Sequence, residues 1–179
     1  MPSALLIVDV QRALTEGAQA CHDAAGVIDR INGVAARARV AAVPVVFIQH
    51  EAAGGGFVHG SRSWELAPAL RVAPTDLRLR KTTPDAFERT PLQALLAERG
   101  VTDVVICGMQ SEFCVDTTTR RAAALGYPVA LVADAHTTTD KPHLAASAIV
   151  AHHNQTLSNI LSFGPRIRSV AAAELVFAG

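Results

Sequence analysis

The sequence has few aromatic residues, few cysteines and no excess of charge of either sign. Aromatic residues make up 4% of the 179 residues, and 16 basic side chains balance 16 acidic ones. Balanced charge gives no broad electrostatic attraction to a polyanion, so nucleic acid is not an expected partner. The three cysteines are an odd number, which does not form a disulfide framework and favours a reducing compartment.

Long apolar runs are also missing from the chain. No stretch approaches the roughly 20 apolar residues that a membrane-spanning helix needs. The run from Leu5 to Val8 is too short for a signal-peptide core, lacks a basic leader and is interrupted by Asp9. Because there is no internal repeat, low-complexity tract or linker, we expect one domain over residues 1–179. The missing signal-peptide core and membrane span, together with the cysteine count, make the cytoplasm the expected location.

Short apolar runs alternate with helical patterns, which is typical of βαβ units and a parallel sheet. Residues 50–76 form a long irregular segment, and such segments are usually functional or mobile. Its run of three glycines lacks the spacing and context of a nucleotide-binding loop, so we expect a flexible loop there. The strands are predicted over 4–10, 45–49, 77–81, 103–107 and 128–133, and the helices over 23–43, 91–100, 114–125 and 142–152.

A cysteine follows the fourth predicted strand, at the point where a helix is predicted to begin. In the first turn of that helix, Cys114 would feel the positive end of the helix dipole, which favours the thiolate. The thiolate is the attacking species in nucleophilic catalysis by cysteine. From this position alone, a buried structural cysteine is an equally good interpretation.

Two charged residues end other predicted strands. Asp9 closes the first strand and Lys81 closes the third. The carboxyl ends of parallel strands meet at one edge of a sheet, where open α/β folds place their active sites. Asp9, Lys81 and Cys114 are therefore candidate catalytic residues. By position alone, a simple ion pair between Asp9 and Lys81 is the favoured alternative.

Four segments together resemble the isochorismatase-like superfamily of cysteine hydrolases, which includes nicotinamidases, N-carbamoylsarcosine amidases and ureidoacrylate amidohydrolases. They occur in the family's order, between Leu5 and about Leu157, and read LLIVDVQ, KTTPDAF, VVICGMQSEFCVDTTTRRAAALGYPV and VADAHTTTD. The resemblance implies a three-layer Rossmann-like α/β fold. Its central, mostly parallel sheet would have five to six strands in the order 3-2-1-4-5-6, with helices on both faces. That order reverses between strands 1 and 4, so the crevice would open beside Asp9 and Cys114.

The resemblance also implies catalytic roles. Cys114 corresponds to the nucleophile, Asp9 to the base that takes the thiol proton, and Lys81 to the cation. A cation near Cys114 would lower the pKa of the thiol and hold Asp9 in position. With the cysteine in its motif, catalysis is favoured over a simple ion pair.

The segment before the cysteine is expected to form the oxyanion hole. In the family a cis peptide bond precedes the nucleophile by four to five residues, which here is the bond between Met109 and Gln110. The backbone amides of Gln110 and Cys114 would then donate to the same point. If Cys114 donates its amide in this way, Ser111 is expected to cap the amide of Phe113.

Three further side chains are candidates for the substrate pocket. Gln11 and Phe87 lie in the family motifs, and Trp64 lies in the long loop. Two aromatic walls would suit a flat or apolar acyl group. A loop anchor is an equally good interpretation of Trp64.

The remaining cysteines and several histidines carry no catalytic pattern. Cys107 lies in an apolar strand and is expected to be inert in the core, and Cys21 belongs to no motif. We expect His136 to order a loop rather than to take part in catalysis. His152 and His153 are expected to pack on the last helix or at a subunit contact.

Nicotinamidases of the family bind a metal through an Asp-x-His pair and a further histidine after the second strand. This chain has His50, Glu51 and His59 in that region but no Asp-x-His. We therefore expect no metal and no cofactor, with an irregular site formed by these three residues as the alternative. Isochorismate hydrolases of the family lack the cysteine, so Cys114 argues against that reaction.

What remains is a metal-independent cysteine hydrolase that cleaves the C–N bond of a small amide, carbamoyl or ureido compound through a thioester and releases ammonia. The alternatives are a nicotinamidase with an atypical metal site, or a non-catalytic binder or redox-sensing thiol protein on the same scaffold. The intact set of Asp9, Lys81 and Cys114 counts against the second alternative. Alanine-rich helices and the resemblance predict a homodimer or homotetramer. The expected binding partner is a small-molecule substrate, and neither nucleic acid nor membrane is expected.

Overall fold

A computed structural model describes residues 3–177, which form a six-stranded sheet with helices on both faces. The strand order is β3-β2-β1-β4-β5-β6, and every neighbouring pair is parallel. This confirms the predicted fold class and strand order, including the sixth strand. The strands are β1 (Ser3–Val8), β2 (Val45–His50), β3 (Leu77–Lys81), β4 (Asp103–Met109), β5 (Val129–Thr137) and β6 (Ile167–Val170).

Helices fill the connections between the strands. Two short 3₁₀ turns lie in the long segment between β2 and β3, and an irregular π-type turn over Ser111–Val115 precedes the fourth helix. In the described part of the chain, no helix is both long and apolar enough to cross a membrane. The helices are α1 (Arg12–Thr15), α2 (Ala24–Val40), α3 (Leu92–Glu98), α4 (Asp116–Ala124) and α5 (Ala146–Ser158).

The sheet has an apolar core on each face because successive strand residues point to opposite sides. On one face, Ile7 and Phe47 pack in a cluster with Ile31 of α2. On the other face, Leu6 packs in a cluster with Leu96 of α3, and α4 and α5 complete that layer. The central strands read as continuous apolar runs because both of their faces are covered. The sheet is thus packed on both faces, and polar residues such as Asp9 and Lys81 lie at its carboxyl edge.

Two strand boundaries differ from the prediction. The first strand stops before Asp9, and not at Val10, because Asp9 has a φ of 51°, in the left-handed region that interrupts a strand. The fifth strand continues past Ala133 to Thr137. His136 therefore lies within a strand and not after its end, and its side chain contacts the turn after β4 through Ser111.

Two helix starts also differ. The last helix begins at Ala146 and not at Pro142, because the carboxylate of Asp140 accepts the Ala146 amide at 2.8 Å and residues 141–144 close a separate bridge. The fourth helix begins at Asp116 and continues without a break from the π-helical turn, so Cys114 lies in the first turn of the helical segment, although that turn is π and not α.

The two central strands approach each other closely at Gly108, which pairs with Val8. Gly108 has a φ of +125°, a conformation that favours glycine, and a Cβ atom added there would lie 2.0 Å from the carbonyl oxygen of Val8. No larger residue fits without moving backbone. This approach places the residue after β1 beside the turn after β4.

Replacing Gly108 by alanine is expected to lower the free energy of unfolding by about 3 kcal/mol or more, through overpacking and the left-handed backbone. Gly100→Ala is the matched control, since Gly100 also has a positive φ of +63° but no described heavy atom within 4 Å of an added Cβ. That control should cost only about 1 kcal/mol. Urea unfolding measures both, and equal losses in the two variants would contradict the close approach.

Candidate active site

The three predicted catalytic residues come together at the carboxyl edge of the sheet. Asp9 follows β1, Lys81 ends β3, and Cys114 lies in the turn after β4. Lys81 Nζ donates to Asp9 Oδ2 at 2.7 Å. Both side chains are close enough to the Cys114 thiol to shift its pKa. The three lie beside the point where the strand order reverses, which is where open α/β sheets form a crevice.

Asp9 and Lys81 form a buried ion pair, with 1% and 2% of their surfaces exposed. Lys81 Nζ also donates to the carbonyl oxygen of Thr83 at 3.1 Å. Within residues 3–177, the other carboxylate oxygen of Asp9, Oδ1, is buried and has no hydrogen-bond partner. Buried acceptors without a donor are rare and call for an explanation. Because nothing else binds this oxygen, it can accept a proton from a neighbouring group.

Backbone hydrogen bonds fix the tight turn that carries Asp9. Its amide donates to the carbonyl oxygen of Ile48 at 2.9 Å, and its carbonyl oxygen accepts the amide of Gln11 at 2.9 Å. A left-handed conformation at a residue other than glycine persists where the surroundings determine it, and aspartate tolerates this region better than most residues. The carboxylate is therefore held at the end of the strand by β2 as well as by Lys81.

The thiol of Cys114 is partly buried and unoxidised. Burial and the negative charge of Asp9 raise the pKa of Cys114 to about 12, against the lowering effect of Lys81. Lys81 lowers the pKa of the thiol, as predicted, but burial and Asp9 outweigh it, so the expected net stabilisation of the thiolate was wrong. The thiol is protonated at neutral pH, so it needs a base in order to attack.

The turn between β4 and α4 is organised around Gln110, whose preceding peptide bond is cis. The Gln110 carbonyl oxygen accepts the amides of Phe113 at 3.1 Å and Val115 at 3.2 Å. The expectation that Ser111 caps Phe113 was therefore wrong. The Ser111 hydroxyl instead lies 2.8 Å from Nδ1 of His136.

His136 connects this turn to the fifth helix, a contact that sequence reasoning missed. Its Nε2 lies 3.1 Å from Oδ1 of Asn154, whose Nδ2 donates to the carbonyl oxygen of Ala133 at 2.9 Å. Burial lowers the pKa of His136 to about 4, so the ring is neutral. The only signal in the sequence is that the residue belongs to the VADAHTTTD motif.

Gln11 clamps the long loop and does not present its amide to a substrate. It is fully buried, and its Nε2 donates to the carbonyl oxygens of His50 at 3.0 Å and Trp64 at 2.8 Å. Its Oε1 accepts the amide of His50 at 2.9 Å. The amide of Gln11 is thus already bound to backbone, and this residue holds the long loop in place.

The two aromatic candidates are held in different ways. Trp64 is half-buried and packs edge-on against His59 with ring centroids 4.6 Å apart, and its indole nitrogen is buried without a partner among the described residues. Phe87 is buried and stacks on Tyr127 with centroids 6.1 Å apart. Phe87 belongs to the apolar cluster against which Cys114 packs. Of the two, Phe87 has the more direct connection to the thiol.

The possible metal ligands after β2 do not converge. The His50 ring packs edge-on against Phe57, with centroids 5.3 Å apart, and Glu51 pairs with Arg80 at 3.3 Å. His59 packs on the indole described above. Among residues 3–177, no group of three or more His, Cys, Asp and Glu side chains is placed to hold a metal ion. These residues do not fit the metal site of the nicotinamidases.

The other cysteines and histidines lie apart from the ion pair. Cys107 is in the core, as predicted, and burial raises the pKa of its thiol. Cys21 is also buried, which raises the pKa of its thiol to about 11. His152 and His153 lie on α5 with ring centroids 5.5 Å apart.

Known proteins are similar to this chain in sequence and in fold. The isochorismatase domain matches residues 3–160. A streptothricin hydrolase of Streptomyces noursei is 45% identical over 140 residues, which are 78% of this chain and 51% of the relative. Ureidoacrylate amidohydrolase RutB of Methylobacterium radiotolerans is 30% identical over 207 residues, covering 95% of this chain and 77% of that protein. The chain spans about half the length of the streptothricin hydrolases that it matches.

A solved crystal structure of an isochorismatase family protein superposes on the chain with a TM-score of 0.86 at 35% sequence identity. The superposition covers 95% of this chain and 98% of the other. The domain match extends over most of the sequence, and the structural match over nearly all of it. On both grounds, the chain belongs to the isochorismatase family.

Proposed function

We propose that this protein is a metal-independent cysteine hydrolase that cleaves the C–N bond of a small amide, carbamoyl or ureido compound through a thioester on Cys114. The observation that carries the proposal is the buried carboxylate of Asp9 beside the Cys114 thiol, since its Oδ1 has no other donor among the described residues. A neutral thiol beside a carboxylate that lacks a donor is the arrangement that general-base activation of a nucleophile needs. The names of the relatives, a hydrolase and an amidohydrolase, agree with this reaction.

The first half of the reaction forms the thioester. Asp9 takes the thiol proton of Cys114 while the sulfur bonds to the carbonyl carbon, and the C=O π pair moves onto oxygen. The pair returns as the C–N bond breaks, and the departing nitrogen takes the proton from Asp9. Ammonia leaves, and the acyl group stays on sulfur. Because the resting thiol has a raised pKa, proton transfer accompanies the attack and does not precede it.

The second half releases the acid. Water enters where ammonia left, gives a proton to Asp9 and bonds to the thioester carbon. The C–S bond then breaks, the carboxylic acid leaves, and the sulfur of Cys114 takes the proton back from Asp9. Asp9 thus acts first as a base and then as an acid in each half of the reaction.

Lys81 keeps Asp9 ionised and oriented in this scheme. A buried carboxylate without a cation is strongly disfavoured, and the 2.7 Å contact supplies that cation. The contact also binds Oδ2 alone, which leaves Oδ1 for the thiol proton. Lys81 therefore both stabilises the base and selects the oxygen that acts.

The backbone amides of Gln110 and Cys114 are the proposed donors to the oxyanion. They lie at the two ends of the turn that precedes α4, next to the reacting sulfur. Oxyanion holes of this kind typically contribute about 3–4 kcal/mol per donor to transition-state stabilisation. Phe87 and Trp64 are the proposed apolar walls for the acyl group.

The two rival functions fit the site less well. A redox sensor needs an easily ionised thiol, whereas burial and Asp9 raise the pKa of Cys114. A nicotinamidase metal site needs converging ligands, whereas His50, Glu51 and His59 are not among any group of described side chains placed to hold a metal ion. Neither rival accounts for the orientation of Asp9.

We also propose that the protein acts as a homodimer or homotetramer in the cytoplasm. Three free cysteines agree with a reducing compartment. Exposed Val40 and Val176, at 91% and 85% of their surfaces, agree with a face that packs on another subunit. A monomeric mass by light scattering at micromolar concentration would contradict the assembly.

The first prediction from this function concerns substrate and nucleophile together. The protein is expected to release ammonia from at least one member of a panel containing nicotinamide, N-carbamoyl acids and ureido acids. Cys114→Ala should lower that release by about a thousandfold or more, since the covalent route is lost. Cys107→Ala is the matched thiol control and should keep the activity, and a chelator should change nothing. Ammonia release that survives Cys114→Ala excludes the thioester, and release that a chelator abolishes supports the metal-dependent rival.

The second prediction separates the two effects of Asp9 on the thiol. Asp9→Asn should lower hydrolysis by about 10²- to 10⁴-fold because the base is lost. The same change should accelerate alkylation of Cys114 by iodoacetamide near about pH 8, because the charge that raises the thiol pKa is removed and each unit of pKa is about tenfold in thiolate. Peptide mapping measures alkylation at each cysteine.

Asp29→Asn, an exposed carboxylate on α2, is the matched control and should leave both rates unchanged. Because Cys21 and Cys107 are buried, their alkylation would reveal a variant that has unfolded. Slower alkylation of Cys114 in a folded Asp9→Asn variant would contradict the proposed electrostatics.

A further inference from the structure

We propose that His136 is a positioning residue, which holds the turn from Gln110 to Cys114 in its catalytic geometry through the Ser111 hydroxyl. The inference rests on the proposed function, since it concerns the same oxyanion turn. His136 is 2% exposed and belongs to β5, and Ser111 is fully buried in the turn itself. The histidine acts through Ser111, and no contact with substrate is implied.

The hydrogen bonds around Asn154 fix which ring nitrogen of His136 carries the proton. Asn154 Nδ2 donates to the carbonyl oxygen of Ala133 at 2.9 Å, so its Oδ1 is on the opposite side. That oxygen accepts the Ser169 hydroxyl at 2.8 Å and lies 3.1 Å from His136 Nε2. Because Oδ1 has no proton to give, Nε2 must be the donor.

A neutral ring that carries its proton on Nε2 has a lone pair on Nδ1. The Ser111 hydroxyl is 2.8 Å from Nδ1 and is therefore the donor in that contact. Burial of the ring favours the neutral form that this arrangement requires. The direction of every hydrogen bond from Ala133 to Ser111 is thus determined.

The chain of contacts connects the turn to three rigid elements. Asn154 lies on α5, Ser169 on β6 and His136 on β5, and all lie outside the π-type turn. Gln110 and Ser111 are adjacent, so an anchored Ser111 limits how far the Gln110 amide can rotate. Functional groups are held most accurately when a second layer of hydrogen bonds locks the first. A shift of about 1 Å at such a site costs up to about 100-fold in rate.

A merely structural role would have a different signature. It would lower stability and slow every reaction of Cys114 to a similar extent. A positioning role slows attack on a carbonyl, which needs the oxyanion donors, but spares alkylation by iodoacetamide, a displacement at carbon that forms no oxyanion. The ratio of the two rates distinguishes the roles.

The test uses p-nitrophenyl acetate and iodoacetamide as probes on the full chain. With the ester, the acetyl group moves to the Cys114 sulfur and p-nitrophenolate leaves with the bonding pair. The thiol proton then passes from Asp9 to solvent, which restores the base that takes a proton from the attacking water. The burst of p-nitrophenolate reports the acylation rate. The variants are Ser111→Ala, Ser111→Thr and His136→Phe, with Ser158→Ala as a control whose hydroxyl bonds only its own helix.

Ser111→Ala and His136→Phe are expected to slow the burst by about 10- to 100-fold while alkylation changes by less than about threefold. The double variant should be no slower than the worse single variant, because both changes break one contact. Ser111→Thr keeps the hydroxyl and should restore most of the burst rate. Thermal unfolding checks that each variant is folded. If His136→Phe does not fold, Ser111→Ala still tests the inference, because it removes only one oxygen atom.

A burst rate unchanged in Ser111→Ala overturns the inference, and so does a parallel loss of burst and alkylation. In either case a normal burst in the unsubstituted protein leaves the proposed function intact. A protein that is alkylated at Cys114 but shows no burst at all contradicts the proposed function itself.

Discussion

The buried ion pair between Lys81 and Asp9 is the interaction on which the site depends. It joins the end of β3 to the end of β1 across the intervening strand, so it forms only when the sheet order is complete. Removing either partner would leave an isolated buried charge, which typically costs about 3–5 kcal/mol. The pair also makes the two carboxylate oxygens of Asp9 different, because Lys81 binds Oδ2 and leaves Oδ1 without a donor among the described residues. Sheet geometry, stability and the proposed proton transfer therefore rest on one contact.

Cys114 reaches this pair because β4 lies beside β1, with Gly108 paired to Val8 near the ends of the two strands. A side chain at Gly108 would meet the backbone of Val8, and the turn that follows is bound to β5 through Ser111. Burial of the thiol raises its pKa. A buried neutral thiol is protected from adventitious oxidation, and in the proposed reaction it loses its proton to Asp9 as it attacks the substrate carbonyl. In this account, reactivity is coupled to substrate binding.

Much of the fold and the three central residues could be predicted from the sequence, because apolar runs report buried strands and their last residues share one edge. Strand order came from the family resemblance. The pKa of Cys114 could not be predicted, since the degree of burial depends on tertiary packing. The cap by Ser111 failed for a related reason: β5 continues beyond its apolar run, and His136 at its polar end binds the serine instead. Local sequence does not reveal partners 25 residues away.

The central claim is that Cys114 carries the acyl group during turnover. Mixing the protein with p-nitrophenyl acetate, quenching with acid and mapping the peptides by mass spectrometry tests it directly. The account predicts one acetyl group, attached to Cys114, that is absent from Cys114→Ala and is removed by hydroxylamine as a thioester should be. Release of p-nitrophenol at the same rate from Cys114→Ala, or an acetyl group on any other residue, would contradict it.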